Sequence, residues 1–456
     1  SLENDFTNST DTFDQESILI TKTNSYGGKI RYTEPIGKKG GISFDVEAEK
    51  TEGKTDNQAN DYSFVEEAYK DLLPQFSSQF SSENFTQSYS LGYRFFSKKI
   101  FSFIRAKYQV TDLSTQSVYP GVAQTQNTFQ AILPFAMIKY TLSKSKQVFL
   151  MYRTSTEDPS VNQLQNFLNN SNPLQLQIGN SNLSQNYTHR LMTRYISTNT
   201  KKATTFFTMA SYSFSNNLIS TTSDFYQVDS NVNGVFLEKG RILNSYENLS
   251  GYQNVRLFSS YGMPVKKLKS NLNLDGAITY SRTPSMVNGV KTLASSTEYE
   301  AGIVLSSNIS KKIDFTLSGR ATLTDITNAG GRGESMFLTQ NYKAKLTWTL
   351  PKEVIVRTQA NYQINDGFSE ALGLNFIMWN ASIAKKLFKS KKGEISLGLY
   401  DVLNQNDQLS ITTNNTYVEQ LRSRSLQRYA LVTFRYTFKQ FDKPKEDPMD
   451  QFYRRR

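Results

Sequence analysis

His189 is the one side chain in this 456-residue sequence suited to general-base work near neutral pH, since no other histidine is present. It stands in Asn186-Tyr187-Thr188-His189-Arg190, and no serine or carboxylate falls at a spacing that completes a hydrolytic pair or triad. We therefore read it as structural. Cysteine is absent, which excludes disulfides, thiolate metal sites, iron–sulfur clusters and a cysteine nucleophile. A single histidine also excludes a histidine-built metal centre within one chain. Gly330-Gly331-Arg332-Gly333 is too short for a phosphate cradle and lacks the strand-then-helix context, so it reads as a flexible loop tip. No catalytic, cofactor-binding or metal-ligating residue is assigned, no cofactor is expected, and the chain is not read as an enzyme.

What remains is charge. The sequence carries 52 Lys+Arg against 40 Asp+Glu, a formal net charge of +12. A basic chain with 13% aromatic residues invites a nucleic-acid reading. The distribution argues against it. Lysines gather in short turns such as Gly37-Lys38-Lys39-Gly40, Ser97-Lys98-Lys99, Lys201-Lys202, Lys266-Lys267 and Lys391-Lys392, while the aromatics lie in the stretches between them. No shared binding strip results, and no nucleic-acid partner is expected.

Those stretches alternate with a period of two. In residues 313–324 the odd positions are apolar or glycine and the even ones polar; Tyr342, Ala344, Leu346, Trp348 and Leu350 alternate with Asn341, Lys343, Lys345, Thr347 and Thr349. A strand turns successive side chains to opposite faces, so each segment has an apolar face and a wet face. Helical periodicity of comparable length is missing, and the chain reads as all-β. Many segments run past ten residues, against ~5–6 for an average strand and ~9–11 for one that crosses a bilayer. The connections alternate as well. Tight basic turns are in phase with long polar connections over about 53–84, 116–126, 156–185, 223–243, 284–296, 328–335 and 405–424, with a shorter one near Asp366-Gly367. Short turns at one end and long loops at the other are the pattern of a transmembrane antiparallel β-barrel of the outer-membrane type. A soluble propeller or sandwich predicts shorter strands and no such alternation.

In that frame the lipid face includes Phe315, Leu317, Leu346, Trp348, Val356, Phe434 and Tyr436. The lumen-facing candidates are Asp45, Glu47, Glu49, Arg94, Arg320, Lys343, Lys345, Arg357 and Arg435. Charge is tolerated towards a lumen, whereas Arg or Lys facing lipid at the midplane costs ~2–4 kcal/mol. These residues would hydrate the lumen, pair with a plug or select solute. Lysines in the short turns would meet anionic phospholipid headgroups. Loop acids such as Asp56, Asp61, Glu66, Asp158 and Asp224 would serve solubility or hold divalent ions near lipopolysaccharide. Two loops carry helical signals: Asp158-Pro159 followed by Val161, Leu164, Phe167 and Leu168, and Phe64–Leu73 ahead of Pro74. Both are read as packing a loop onto the barrel rim.

The stretch Tyr152-Arg153-Thr154-Ser155-Thr156, then Asp158-Pro159-Ser160, Gln163-Leu164, Asn170-Ser171-Asn172-Pro173-Leu174, Gly179-Asn180 and Asn186-Tyr187, resembles the outer-membrane β-barrel of TonB-dependent-receptor-like proteins, in the version abundant in Bacteroidetes. Asp401-Val402-Leu403-Asn404-Gln405-Asn406 and Phe434-Arg435-Tyr436-Thr437-Phe438 carry the same resemblance, which covers most of the chain. It implies a Gram-negative outer-membrane location and a barrel of 22 strands. It also implies an N-terminal plug and a TonB-binding segment that are not recognisable here. The function implied is a receptor that imports a large or scarce solute such as peptide or glycan. The alternative is a structural or scaffold barrel in an envelope complex. The expected surroundings are outer-membrane lipid and lipopolysaccharide, with TonB and a surface lipoprotein as partners.

Counting alternating segments gives about 17 strands, from near Ile18–Ile36 to Leu426–Phe438. The turn phase makes both the first and last strands run from the long-loop end to the short-turn end. The expected organisation is therefore a barrel portion over 1–440, the C-terminal three quarters of a larger barrel with about five strands supplied elsewhere, and a basic periplasmic tail over 441–456.

Overall fold

Period-two alternation builds one sheet of 22 strands, antiparallel throughout its wall and with two short parallel pairings among the appended strands. The computed structural model describes residues 15–438, apart from 64–65, 74–76, 120, 165–167, 170–174, 233–234, 238, 308–309, 311, 329–333, 367–374, 406–407, 414–417 and 424–425. Five short strands, Ala68–Leu72, Leu168–Asn169, Gln175–Ile178, Leu218–Phe225 and Ile242–Leu249, are appended at the long-loop end, which leaves seventeen in the wall. The wall strands are β1 (Gln15–Ile36), β2 (Gly40–Ser63), β3 (Ser78–Phe96), β4 (Ile100–Tyr119), β5 (Ala123–Ser143), β6 (Lys146–Glu157), β7 (Asn186–Asn199), β8 (Thr204–Ser215) and β9 (Tyr252–Val265). They continue as β10 (Ser270–Val287), β11 (Val290–Ser307), β12 (Ile313–Asn328), β13 (Glu334–Leu350), β14 (Val354–Asp366), β15 (Phe376–Leu387), β16 (Gly393–Tyr400) and β17 (Tyr429–Tyr436). Each pairs antiparallel with the next. Among the described residues β1 pairs only with β2, and β17 only with β16.

The number of wall strands agrees with the alternation. Their lengths exceed what the loop composition suggests. The expected connection over 53–84 is largely ladder: β1 and β2 stay in register from Ile36↔Gly40 up to Gln15↔Asp61. The expected connection over 284–296 is a continuous hairpin, with β10 and β11 paired to Val287↔Val290. Asn288 and Gly289 close it at φ 49° and 71°, the left-handed pair that a type I′ turn requires. β4 and β5 likewise reach Ser117↔Ala123, inside the connection expected over 116–126. Polar strands outside a membrane still satisfy their backbone by pairing, so composition alone mistakes them for loops.

No helix forms over the described residues of the segment expected to be helical, Phe64–Leu73. Ala68–Leu72 is a strand lying on the upper edge of β2, with Tyr62 opposite Tyr69. The Asp158-Pro159 signal does start a helix, limited to the single turn Val161–Leu164, while Leu168 belongs to a strand. Phe167, the Gly330–Gly333 tip, Gly367 and the tail 441–456 lie outside the described residues.

At 24 residues β2 is ~80 Å long at ~3.3 Å per residue, far more than a ~25 Å apolar band needs. The band is visible on one face. On β2 it runs Ile42, Phe44, Val46, Ala48 and then gives way to Lys50, Glu52 and Lys54. On β10 it runs from Leu272 through Leu274, Gly276 and Ile278 to Tyr280, followed by Arg282. Leu272 to Tyr280 is eight residue steps, ~26 Å along the strand and about 20 Å along the barrel axis at a 35–45° tilt. Exposed apolar side chains on this face include Leu91 (61%), Ile104 (54%), Ile278 (48%), Ile303 (49%) and Phe434 (58%). Register also places Phe315, Leu317, Leu346, Trp348, Val356 and Tyr436 on it. Tyrosines rim the band's long-loop edge: Tyr89 is directly opposite Tyr108, and Tyr342 opposite Tyr362. The short turns at the other end carry Lys38, Lys39, Lys98, Lys99, Lys201, Lys202, Lys266, Lys352 and Lys391.

Candidate functional site: the polar face of the wall

The opposite face is where the charged side chains converge. Directly opposed residues of an antiparallel ladder share a face. Tracing those pairs strand by strand puts Asp45, Glu47, Glu49, Arg94, Arg320, Lys343, Lys345, Arg357 and Arg435 on the same side of the sheet.

Several are neutralised in place. Glu47 accepts from Lys29 at 2.8 Å, and Asp45, only 2% exposed, is held by Arg31. Glu300 is shared by Arg256 at 2.9 Å and Arg320 at 2.8 Å. Arg357 meets Glu394 at 3.0 Å, and Arg435 sits directly opposite that carboxylate. Arg357 and Arg435 thus stand on either side of Glu394, and the ion pair is made by Arg357. Lys343 and Lys345 face Asn361 and Gln359 instead, and no ion pair joins them to the other candidates. Arg94 lies near the short-turn end, beside Gly41, where an added Cβ would come within 3.0 Å of its Nε.

Sequence reading missed the partners Lys29, Arg31, Arg256, Glu300 and Glu394. It also missed Arg105, Lys107, Arg153 and Arg190 on the same face. Alternation around Arg105-Ala106-Lys107 carries a signal for the first pair. Nothing local shows that Arg153 and Arg190 stand opposite one another.

At the long-loop end the polar face is partly covered. The connection between β6 and β7 folds over it, setting Leu164 (1% exposed) and Leu183 (4%) against Leu113 and Phe129, with Ile219 and Tyr246 beside them. Leu176, Ile178 and Leu243 make a second small core with Tyr226. Hydrogen bonds tie this connection to the one between β8 and β9: Asn180 donates Nδ2–H to the Tyr246 carbonyl at 2.9 Å, Ser184 N–H donates to Asn248 Oδ1 at 2.7 Å, and Asn248 Nδ2–H returns to Ser184 O at 2.9 Å. Gln177 donates to the Tyr246 hydroxyl; burial pushes that hydroxyl's pKa up, against the opposing pull of this bond.

His189 lies on the apolar face. Its Nδ1 is 2.9 Å from the Tyr152 hydroxyl, its ring stacks on Phe214 at 4.4 Å, and Tyr187 is 5.0 Å away. It has no carboxylate or serine partner among these contacts and belongs to the aromatic rim. Among the described residues no group of three His, Cys, Asp or Glu side chains converges in a metal-binding arrangement.

No curated protein matches the chain. In solved structures the fold is similar to the copper transporter OprC, with 8% identity, 92% of this chain and 72% of that one covered, and a TM-score of 0.50. It is also similar to the ferric yersiniabactin uptake receptor FyuA of Yersinia pestis (8% identity, 92% and 68% covered, TM-score 0.47). A third similar structure is the siderophore receptor PiuA of Acinetobacter baumannii (10% identity, 91% and 64% covered, TM-score 0.46). At 8% identity the likeness to OprC speaks for the fold alone. The model of the outer membrane protein beta-barrel family matches residues 1–341 and 337–436, and with an apolar band along one face and ion-paired charge on the other, this chain belongs to that family.

Proposed function

We propose that the chain is the translocation wall of a TonB-dependent outer-membrane importer for a large or scarce solute such as a peptide or glycan. The observation that carries this reading is the charged face. Its ion pairs run across many strands on the side away from lipid, which suits a hydrated passage better than a packed core. In this reading the long hairpins project outside the cell, and the lysine-rich turns lie in the periplasm against anionic headgroups. Among the described residues the outer edges of β1 and β17 have no partner strand, and in lipid each exposed backbone group there would cost several kcal/mol. We assign them to pairing with further strands of the same barrel, with a plug and a TonB-binding segment completing the machine and a surface lipoprotein over the loops.

The test is a clean deletion in the source bacterium, grown with single peptides, glycans or chelated metals as limiting nutrient. Loss of growth on one of them, restored by the intact gene but not by one lacking its TonB-binding segment, supports the importer. Unimpaired uptake of every nutrient, with loss of a partner protein from the outer membrane, replaces it with a scaffold role.

A further inference from the structure

One arc of the charged face is not neutralised. From β3 to β8 it presents Arg94, Arg105, Lys107, Lys139, Arg153, Arg190 and Arg194, and among the described residues the one carboxylate on this face of these strands is Glu157, near the long-loop end, followed in the connection by Asp158, which is bonded by Gln185. Glu157 is occupied with Asn186 Nδ2 at 3.4 Å and lies four residues along the strand from Arg153. The next acids, Asp45, Glu47 and Glu49, stand on β2, two strands from Arg105; Asp45 and Glu47 are held by Arg31 and Lys29, and Glu49 lies further towards the long-loop end, opposite Thr86.

Arg153 and Arg190 are directly opposite each other across β6 and β7, a like-charge pairing that destabilises a ladder unless something sits between. Phe135 is directly opposite Arg153 on β6 and opposite Arg105 on β4, so the two arginines flank one aromatic floor. The Arg105 guanidinium lies 5.6 Å from the Phe135 centroid, and its buried Nε has no hydrogen-bond partner. Lys107 reaches Gln109 Oε1 at 2.7 Å, and Arg190 Nε donates to Ser213 Oγ at 3.0 Å; neither partner carries charge. Arg105, Lys107 and Arg153 line a hollow of about 300 Å³ with Leu133 and Phe135, small for a drug-sized ligand but ample for a carboxylate or phosphate group.

We propose that Arg105, Lys107 and Arg153, with Arg190 behind them, form a binding site for an oxyanion, the carboxylate or phosphate of a solute. Forked guanidinium donors and an ammonium match such groups, and a site this short of acids raises the local concentration of anions. The assignment extends the importer reading to a class of substrate.

The test is calorimetric titration of the full-length protein in neutral detergent at low salt, with citrate and inorganic phosphate as probes. Expected is saturable binding that weakens at least tenfold in R153Q and R105Q, is partly restored in R153K, and is unchanged in K343Q, which removes equal charge elsewhere on this face. Binding should also fall steeply between 50 and 500 mM salt, as screening of partly exposed charges requires, roughly following the Debye length. Absence of binding, or equal loss in K343Q, overturns the site. Chemical unfolding of the same variants separates the two sources of oxyanion. If the site is open, R153Q relieves the Arg153–Arg190 repulsion and leaves stability equal or higher. If R153Q lowers stability and wild type binds neither probe, a carboxylate of the barrel's own chain already fills the hollow, and the solute site is refuted. Citrate binding with normal nutrient uptake in R153Q cells would count against the importer reading while leaving the site in place.

Discussion

Ala301 offers a clean test of which face meets lipid. It lies at the centre of the apolar band on β11, exposed, directly opposite Gly276 on β10 and Ala321 on β12. A Cβ added at Gly276 would find its nearest atom 3.8 Å away, so the surroundings leave room for a long side chain. Ala301→Arg therefore changes solvation with little steric conflict. At the midplane of a bilayer, arginine costs ~2–4 kcal/mol, or about 30- to 700-fold in the folding equilibrium at ~1.4 kcal/mol per decade. The matched control is Thr322→Arg, opposite the Glu300 carboxylate on the charged face, where the cost should stay within about 1 kcal/mol. The assay is reversible urea unfolding of the full-length protein in lipid vesicles, followed by tryptophan emission. The two tryptophans, Trp348 and Trp379, are both on the apolar face, 45% and 38% exposed, so bilayer entry shifts their emission to the blue. A cost for Ala301→Arg under ~0.5 kcal/mol, the range of an ordinary water-exposed site, would refute the assignment. Equal costs for the two substitutions would refute it as well.

Glu300→Gln leaves Arg256 and Arg320 without their shared carboxylate and should cost about 1–2 kcal/mol in the same assay, a range discounted for the partly exposed arginines. Arg320→Gln should cost less, because Glu300 keeps Arg256. At the short-turn end, Lys391 bonds Glu353 at 2.5 Å and holds its carboxyl below the usual range. A carboxyl whose folded pKa is depressed stabilises above its unfolded pKa and loses that contribution as pH falls through the folded one. The urea midpoints of wild type and Glu353→Gln should therefore converge on acidification, from a gap that is small because the pair is solvated; a gap that widens in acid would show the sign to be wrong. Leu164→Ala empties a site that is 1% exposed and should cost the loop layer ~2–5 kcal/mol. The readout is faster proteolysis within 158–185 with the wall intact, and unchanged cleavage would mean that Leu164 does not pin the loop.

The sequence by itself determined the period-two pattern, and with it the class of fold, the wall-strand number and the sidedness of each strand. In an antiparallel sheet a residue's face follows from its parity alone, so Leu346 and Lys345 separate without knowledge of any partner. It also determined the position of the short turns, because lysines and glycines mark them locally. Connection lengths were legible only in part. Residues such as Thr283–Val287 and Gly53–Asn60 are polar enough for loops, and become strands because a neighbouring strand satisfies their backbone groups. The Phe64–Leu73 segment follows the same logic: a local helical preference of tenths of a kcal/mol per residue yields to the free edge of β2. The candidate site was the least legible. That Glu300 meets both Arg256 and Arg320, or that Arg153 stands against Arg190, is set by register between segments up to 44 residues apart. Register is a property of the assembled sheet, and only tertiary structure decided which charges meet a carboxylate and which line the hollow beside Phe135.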